Sequence, residues 1–475
     1  MKNQSIVVWV FVFGLFSKTL QAQENKPFTL EDCVNRAIEM NISIKRASLD
    51  LESSVVDKAD AIGNFLPNLN LQASHSWNIG LNQNITTGLL ENLTTQFSSM
   101  SGNVNATVYN GMRNVRQLHL ANLNILAREY QLKDMTEDVM LLVANAYLQV
   151  KFSEELVKVQ QEQREVTLQE MERTKVLIEQ GVLIAGDLYE IEANLAAQEQ
   201  SIINEQNNLR LSKINLAQLL LVDDYNSFEL ATEEFDIPIS EVLLENPKTI
   251  FETALQNRND IKLALTNMEI AETNVLLSKS ALQPRLSAFY SYSTRLSYSD
   301  RLVPTGDFTD IPIGYVAGTL EEVRTLRAET EVAPPMNILD QFSMNDGHNF
   351  GLSLNIPVFN GKSAQNNVKR SQINVLQSQQ LFDQQKLDLE TTVNQAYNNA
   401  KGAFKFYEAS QKTILARSNA LNDAQKRFEE GLMNSFQYVQ AKQRYESAVS
   451  DLVRAKYDYV FKLKVLEFYF GIPIK

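Results

Sequence analysis

Hydrophobic residues along this chain follow first one period and then another, and the whole pattern recurs. Leu30, Val34, Ala37, Ile38, Ile44, Leu51 and Val55 keep near-helical spacing, which predicts an amphipathic α-helix. Thr29 is placed to cap its free N–H groups, and Glu31 and Asp32 in the first turn suit the positive end of the helix dipole. The helix is expected to run up to Gly63 and to stop before Pro67, because proline cannot continue it. Beyond Pro67 the period falls to two: Leu69, Leu71, Ala73, Trp77 and Ile79 alternate with Asn68, Asn70, Gln72, Ser74, Ser76 and Asn78. That is a strand with one apolar and one polar face.

Three further segments repeat the strand design. Met100, Val104, Ala106 and Val108 alternate with Asn103, Asn105 and Thr107; Leu286, Ala288, Tyr290, Tyr292 and Leu296 alternate with serines; Phe350, Leu352, Leu354, Ile356 and Val358 alternate with Asn349, Ser353 and Asn355. Between strands and turns stands a proline-free stretch from Met112 to about Gln180, with Leu132, Met135, Val139, Leu142 and Ala146 at steps of three and four. Such a seam suits a coiled coil, and roughly 68 residues at ~1.5 Å each make a rod of about 100 Å. A turn from Gly181 to Gly186 and a return helix through Leu195, Leu209, Leu216 and Leu220 complete an α-hairpin.

The pattern is an internal duplication. Ala37, Ile44, Ala47, Glu52, Pro67 and Leu69 match Ala254, Ile261, Ala264, Glu269, Pro284 and Leu286, each pair 217 positions apart. Val108, Asn110, Gly111, Val143, Tyr147, Glu179, Gly181 and Leu216 match Val358, Asn360, Gly361, Val393, Tyr397, Glu429, Gly431 and Leu466 at a spacing of 250. The difference, 250 minus 217, places one 33-residue insertion in the second copy. The segment from about Leu302 to Asn345, with Pro304, Pro334 and Pro335, is expected to be an external loop. The expected divisions are a leader over 1–22, a first repeat over 23–221, an acidic linker over 222–247 and a second repeat over 248–475.

The leader is read from Lys2, the 11-residue apolar run Ile6 to Phe16, and small and polar residues to Ala22. This is the layout of a secretory signal, and the run is too short for a membrane-spanning helix of roughly 20 residues. Charge narrows the partners: 44 basic against 57 acidic residues give −13, with no clustered basic surface for nucleic acid. Cys33 is the sole cysteine, so no intrachain disulfide can form, and it reads as a small apolar residue of the first helix.

No catalytic constellation emerges. Asn360-Gly361-Lys362-Ser363 ends like a phosphate-binding loop, but Ile356 stands where the first glycine belongs. His75, His119 and His348 are far apart and lack ligands at metal spacing. The chain is read as no enzyme, without cofactor or metal.

Four membrane strands cannot close, since a barrel needs about eight or more to hide its edges from lipid. Two copies would give a barrel too narrow for a channel, while three give twelve strands and an open lumen. A soluble sheet in an exported coiled-coil or adhesin-like protein shares the same alternation, and stays open as the alternative.

Taken in order, Phe28-Thr29-Leu30-Glu31-Asp32, Pro67 and Pro284, Val108-Tyr109-Asn110-Gly111 and Val358-Phe359-Asn360-Gly361, the turns at Gly181 and Gly431, and Ala455-Lys456-Tyr457-Asp458-Tyr459 through Gly471 resemble the TolC-type outer membrane factor family. The resemblance implies a mainly α chain with membrane β: a homotrimer with a 12-stranded outer-membrane β-barrel, continued by a long periplasmic α-helical barrel. It implies an outer-membrane exit duct of a tripartite efflux pump or type I secretion system, and a periplasmic membrane-fusion adaptor that links it to an inner-membrane pump. It places adaptor-docking tips at Gly181, Val182, Leu183, Asp187 and Leu188 and at Gly431, Leu432, Ser435, Gln437 and Tyr438, with Gln437 departing from the acidic residue that Asp187 represents. It places a periplasmic gate near Asn422, Asp423 and Lys426, and strand-to-helix junctions at Asn110, Gly111, Asn360 and Gly361.

Overall fold

The structure, a computed structural model, describes residues 27–84, 88–225, 228–231 and 241–472. The leader expected over 1–22 lies outside the described residues, as do residues 226–227 and 232–240 of the linker over 222–247. The first copy comprises helices α1 (Leu30–Met40) and α2 (Ile42–Gly63), strands β1 (Asn68–Gln83) and β2 (Leu90–Asn110), and helices α3 (Arg113–Glu179) and α4 (Ala185–Leu219). The second comprises α5 (Pro247–Asn257), α6 (Asn259–Ser280), strands β3 (Arg285–Ser297), β4 (Arg301–Tyr315) and β5 (Glu322–Ala333), α7 (Ile338–Met344), β6 (Gly347–Asn355), α8 (Ser363–Glu429) and α9 (Ser435–Phe470). Helices α3 and α8 are each unbroken for 67 residues, about 100 Å at ~1.5 Å per residue.

The duplication holds to the residue. Thr29 caps α1 and Asn246 caps α5, and 246 minus 29 is 217. At Thr29 the cap is reciprocal: its hydroxyl accepts from the Asp32 N–H at 3.1 Å, and the Asp32 carboxylate accepts from the Thr29 N–H at 3.1 Å. The single helix expected up to Gly63 is instead two helices. It breaks at Asn41, and the second copy breaks at Arg258, again 217 positions on. Asn41 leaves the helical region at ψ 129°, and its side-chain oxygen accepts from the N–H groups of Ser43 and Ile44, recapping the chain. Arg258 is held out at ψ 133° by ion pairs to Asp134 and Glu137 at 3.3 and 3.4 Å, with its guanidinium over the Phe468 ring.

The chain divides into two units. One contains Met1–Ala47, Leu132–Arg258 and Leu387–Lys475. Its core is duplicated too: Cys33, Val143 and Leu216 of the first copy, and Ile250, Val393 and Leu466 of the second, are all fully buried. Burial pushes the Cys33 thiol up to about 12, with the Asp32 carboxylate adding to the rise. The expected seam on α3 holds at Leu132, Met135, Val139 and Ala146, whereas Leu142 is exposed and lies outside it.

The other unit contains Ser48–Gln131 and Asn259–Lys386. Its four-stranded antiparallel sheet has the order β1-β2-β3-β6. Strand β6 ends at Asn355, short of the expected Val358, because Pro357 has no N–H to continue a ladder. The insertion is not a bare loop: β4 and β5 form an antiparallel hairpin, followed by α7. One face of the hairpin carries Leu302 opposite Val332 and Phe308 opposite Ala328, a cross-strand apolar set of the kind that stabilises such ribbons. Helix α7 takes over the β3 edge beyond Ser293, where β6 begins at Gly347. The Gln341 amide accepts from the Ser297 N–H and donates to the Ser297 carbonyl, both at 2.9 Å, as a strand partner would.

Candidate functional site

The register sorts the sheet into two chemically distinct faces. One carries Leu69, Leu71 and Ala73 of β1, Val104 of β2, Tyr290 and Tyr292 of β3, and Phe350, Leu352 and Leu354 of β6. The opposite face carries Asn68, Asn70, Gln72 and Ser74, then Asn105, Asn103, Ser101 and Ser99, then Ser291 and Ser293, and Asn349 and Ser353. Strand β1 is exposed along almost its whole length, and Ile79 reaches 83%. A soluble sandwich buries one face of each sheet; here the apolar face is left uncovered along β1 and β6, as is the polar one. Trp77, His75 and Tyr298 cluster at one end of the apolar face, with the His75 ring edge-on to both aromatics, and Tyr109 lies at the other end opposite Leu286. Aromatic rings at both borders of an apolar band are the girdles of a lipid-embedded sheet. Among the described residues, no helix is long and apolar enough to cross a membrane.

At the strand-to-helix junctions, Gly111 and Met112, and Gly361 and Lys362, all take left-handed backbone conformations, with φ between 63° and 67°. The phosphate-loop-like segment is thus a turn that launches α8. Around Gly111 the space is tight: a Cβ there would lie 2.5 Å from Gln283 Cβ and 2.8 Å from the Ser280 carbonyl oxygen. Asn110 pairs its amide with that of Asn114 at 2.7 Å, and Arg116 donates to the Ser280 hydroxyl at 2.8 Å. The equivalent position, Gly361, is open.

Both hairpin tips end their helices alike. The Val182 N–H bonds the Leu177 carbonyl and the Gly181 N–H that of Ile178, each at 2.9 Å; Leu432 to Arg427 and Gly431 to Phe428 repeat this at 2.8 and 3.1 Å. With φ of 74° and 72°, the two glycines are left-handed caps of the Schellman type. The returning helices differ. Asn434 caps α9 by accepting from the Gln437 N–H at 2.9 Å, whereas Ile184 gives α4 no side-chain cap. Asp187, where the other tip has Gln437, accepts instead from the Ser435 hydroxyl, so one tip is bonded to the other.

Leu183, Leu188 and Tyr438 are half-buried. Tyr438 stacks on Phe428 at 5.0 Å, and burial pushes its hydroxyl up to about 12, with Glu170 contributing. Val182 and Leu432 are exposed, joined by Ile184, Tyr189 and Phe436, which the sequence reading missed. For Ile184 and Phe436 the signal was an apolar residue one step from the helix start; Tyr189, a turn into α4, had none. Asp423 is exposed and paired within its own helix to Arg427 at 2.9 Å, while Asn422 and Lys426 are exposed beside it.

Above the tips lies a buried polar network that periodicity alone did not reveal. Lys442 of α9 is 3% exposed and bonds Glu170 at 2.6 Å and the Thr167 hydroxyl at 3.0 Å, both on α3. One turn on, Glu446 accepts from the Gln198 amide of α4 at 3.3 Å, and burial raises its carboxyl above the usual range. Outside this network, on the surface, Arg173 of α3 meets Glu429 of α8 at 2.9 Å, and its hydrogen bond holds that carboxyl below its usual range.

Solved structures share this fold. The outer membrane protein VceC of Vibrio cholerae superimposes with a TM-score of 0.71 at 14% identity, over 93% of this chain and 96% of that one. The CmeC outer membrane channel of Campylobacter jejuni gives 0.69 at 18%, over 93% and 85%. The open-state MtrE outer membrane channel of Neisseria gonorrhoeae gives 0.68 at 16%, over 93% and 88%. No curated protein matches in sequence. The outer membrane efflux protein family model, however, matches residues 33–220 and 250–471, one segment per repeat. The chain therefore belongs to the outer membrane efflux protein family, and is a passive channel of the outer membrane and not an enzyme.

Proposed function

We propose that three copies of this chain form one exit duct, serving a tripartite efflux pump or a type I secretion system. The observation that carries the proposal is the four-stranded sheet, in which β1 and β6 each have one unpaired edge and neither face is covered over most of β1. Open edges in hydrocarbon leave backbone groups unsatisfied at several kcal/mol each, so the sheet must close on other copies. Three copies give twelve strands and a water-filled lumen lined by Asn and Ser. The long α-hairpins supply a periplasmic tube, and its tips dock a membrane-fusion adaptor joined to an inner-membrane pump. The exposed apolar crown of Val182, Ile184, Leu432 and Phe436 favours docking, since such patches mark interaction sites. Asp423, near the second tip, borders the periplasmic gate.

Two measurements test this reading. Detergent-extracted protein should form conducting pores in planar bilayers, and a photo-crosslinker at Leu432 should capture a periplasmic α-hairpin protein. A preparation that does not conduct defeats the channel reading. A pore without an adaptor adduct defeats only the docking reading.

A further inference from the structure

Resting on the channel reading, we infer that the barrel lumen selects for anions, through Arg285 and Arg295. On the polar face of the sheet the register places asparagines, serines and few charges. Arg285 stands at one end of β3, opposite Asn110 and Asn355, and Arg295 stands ten residues on, opposite Ser99. Ten residues at ~3.3 Å span about 33 Å along a strand, which at a barrel strand's tilt of about 40° is about 25 Å along the membrane normal, the height of the apolar band of such barrels. The two guanidiniums therefore sit at opposite mouths of the membrane segment, near Tyr109 and near the Trp77–Tyr298 cluster respectively.

Neither arginine has a carboxylate partner among the described residues. Arg295 lies over the Phe97 ring at 4.2 Å, on the same polar face, which fixes its position without consuming its charge. Arg285 shares a polar cavity of about 970 Å³ with Arg113, Asn110, Asn114 and Asn355, and with Asp60 as its one carboxylate. On the four strands' polar face, Glu91 is the only carboxylate among the described residues. It lies beyond Arg295 toward the β1–β2 turn, opposite Asn82, and accepts from the Asn84 amide.

In a trimer the arginines become two rings of three positive charges in a low-dielectric wall, the arrangement that focuses field lines and concentrates counter-ions. The bias is local: the whole chain carries −13. The ligand class is small anions, inorganic or organic, and selection should weaken with salt, because the Debye length shrinks from ~30 Å at 0.01 M to ~3 Å at 1 M.

The test is the reversal potential of wild-type pores in planar bilayers under a potassium chloride gradient. Chloride should permeate about twofold or more better than potassium at low salt. The Arg285→Gln/Arg295→Gln variant should lose that preference while still conducting, and Arg285→Lys/Arg295→Lys should keep it. A conducting pore that prefers potassium, or a glutamine variant with unchanged selectivity, overturns the anion assignment and leaves the channel reading standing. Absence of conductance in the wild type overturns both.

Discussion

The Lys442–Glu170 pair gives the sharpest test of how the helices are held near the tips. The side chains are 4% and 15% exposed and 2.6 Å apart, so at an effective dielectric near 20 their attraction is about 6 kcal/mol before desolvation is counted. Desolvating both ions offsets most of that gain, and buried pairs are commonly close to neutral against apolar residues of similar volume. Breaking such a pair is another matter. Lys442→Met strands the Glu170 carboxylate in a pocket that water barely reaches, at a cost of ~3–5 kcal/mol, while the Thr167 hydroxyl keeps its bond to the Gln163 carbonyl. Lys442→Met/Glu170→Met removes both charges and should return to within about 1 kcal/mol of wild type. Thermal unfolding of the detergent-extracted protein, followed by circular dichroism at one scan rate, reads the order: single variant well below wild type, double variant near it. If the double variant falls as far as the sum of the two singles, the pair is not the coupled unit described here.

Other outcomes follow from the same geometry. Gly181→Asp and Gly431→Asp should leave the protein assembled in the outer membrane but abolish export, because both positions need φ above 70°; normal efflux in both would remove the tip assignment. Gly111→Ala should cost ~2–5 kcal/mol, since left-handed strain adds to overpacking against Gln283 and Ser280, where the added Cβ would lie 2.5 Å from Gln283; unfolding that is unchanged from wild type would contradict the packing. Cys33, buried and shifted from 9.0 to about 12, should react with thiol reagents at pH 8 about 1000-fold more slowly than a free cysteine. Its neutral form is the favoured one in the fold, so its contribution to stability is present below pH 9 and declines as pH rises from 9 toward 12. Rapid labelling of the native protein would show that α1 is not packed as described.

Most of what the sequence made legible is repeated by the duplication, although the paired helix breaks at Asn41 and Arg258 are repeated too and were not legible. Thr29 and Asn246, Cys33 and Ile250, Val143 and Val393, and Gly181 and Gly431 occupy equivalent places in caps, core and turns. Features that depart from the repeat were hidden. Lys442 corresponds to Glu192, since 442 minus 250 is 192, and a lysine on a long helix reads as solvated unless its neighbours across the coil are known. Arg285 and Arg295 stand among alternating serines and tyrosines, and only the ladder shows that they share the polar face. The helix breaks at Asn41 and Arg258 were missed because the apolar stripe continues through both. Asn41 carried a local signal, a side chain able to recap the backbone; Arg258 carried none, because its partners lie more than a hundred residues away. The β4–β5 hairpin was obscured by prolines, and the ladder accommodates Pro304 and Pro312 at its register shifts.

The central claim is that this sheet cannot close alone and does so in threes. Native mass spectrometry of the protein extracted from the outer membrane in detergent measures this directly. A mass of three chains is the predicted result; a monomer or dimer under conditions that preserve conductance would contradict it.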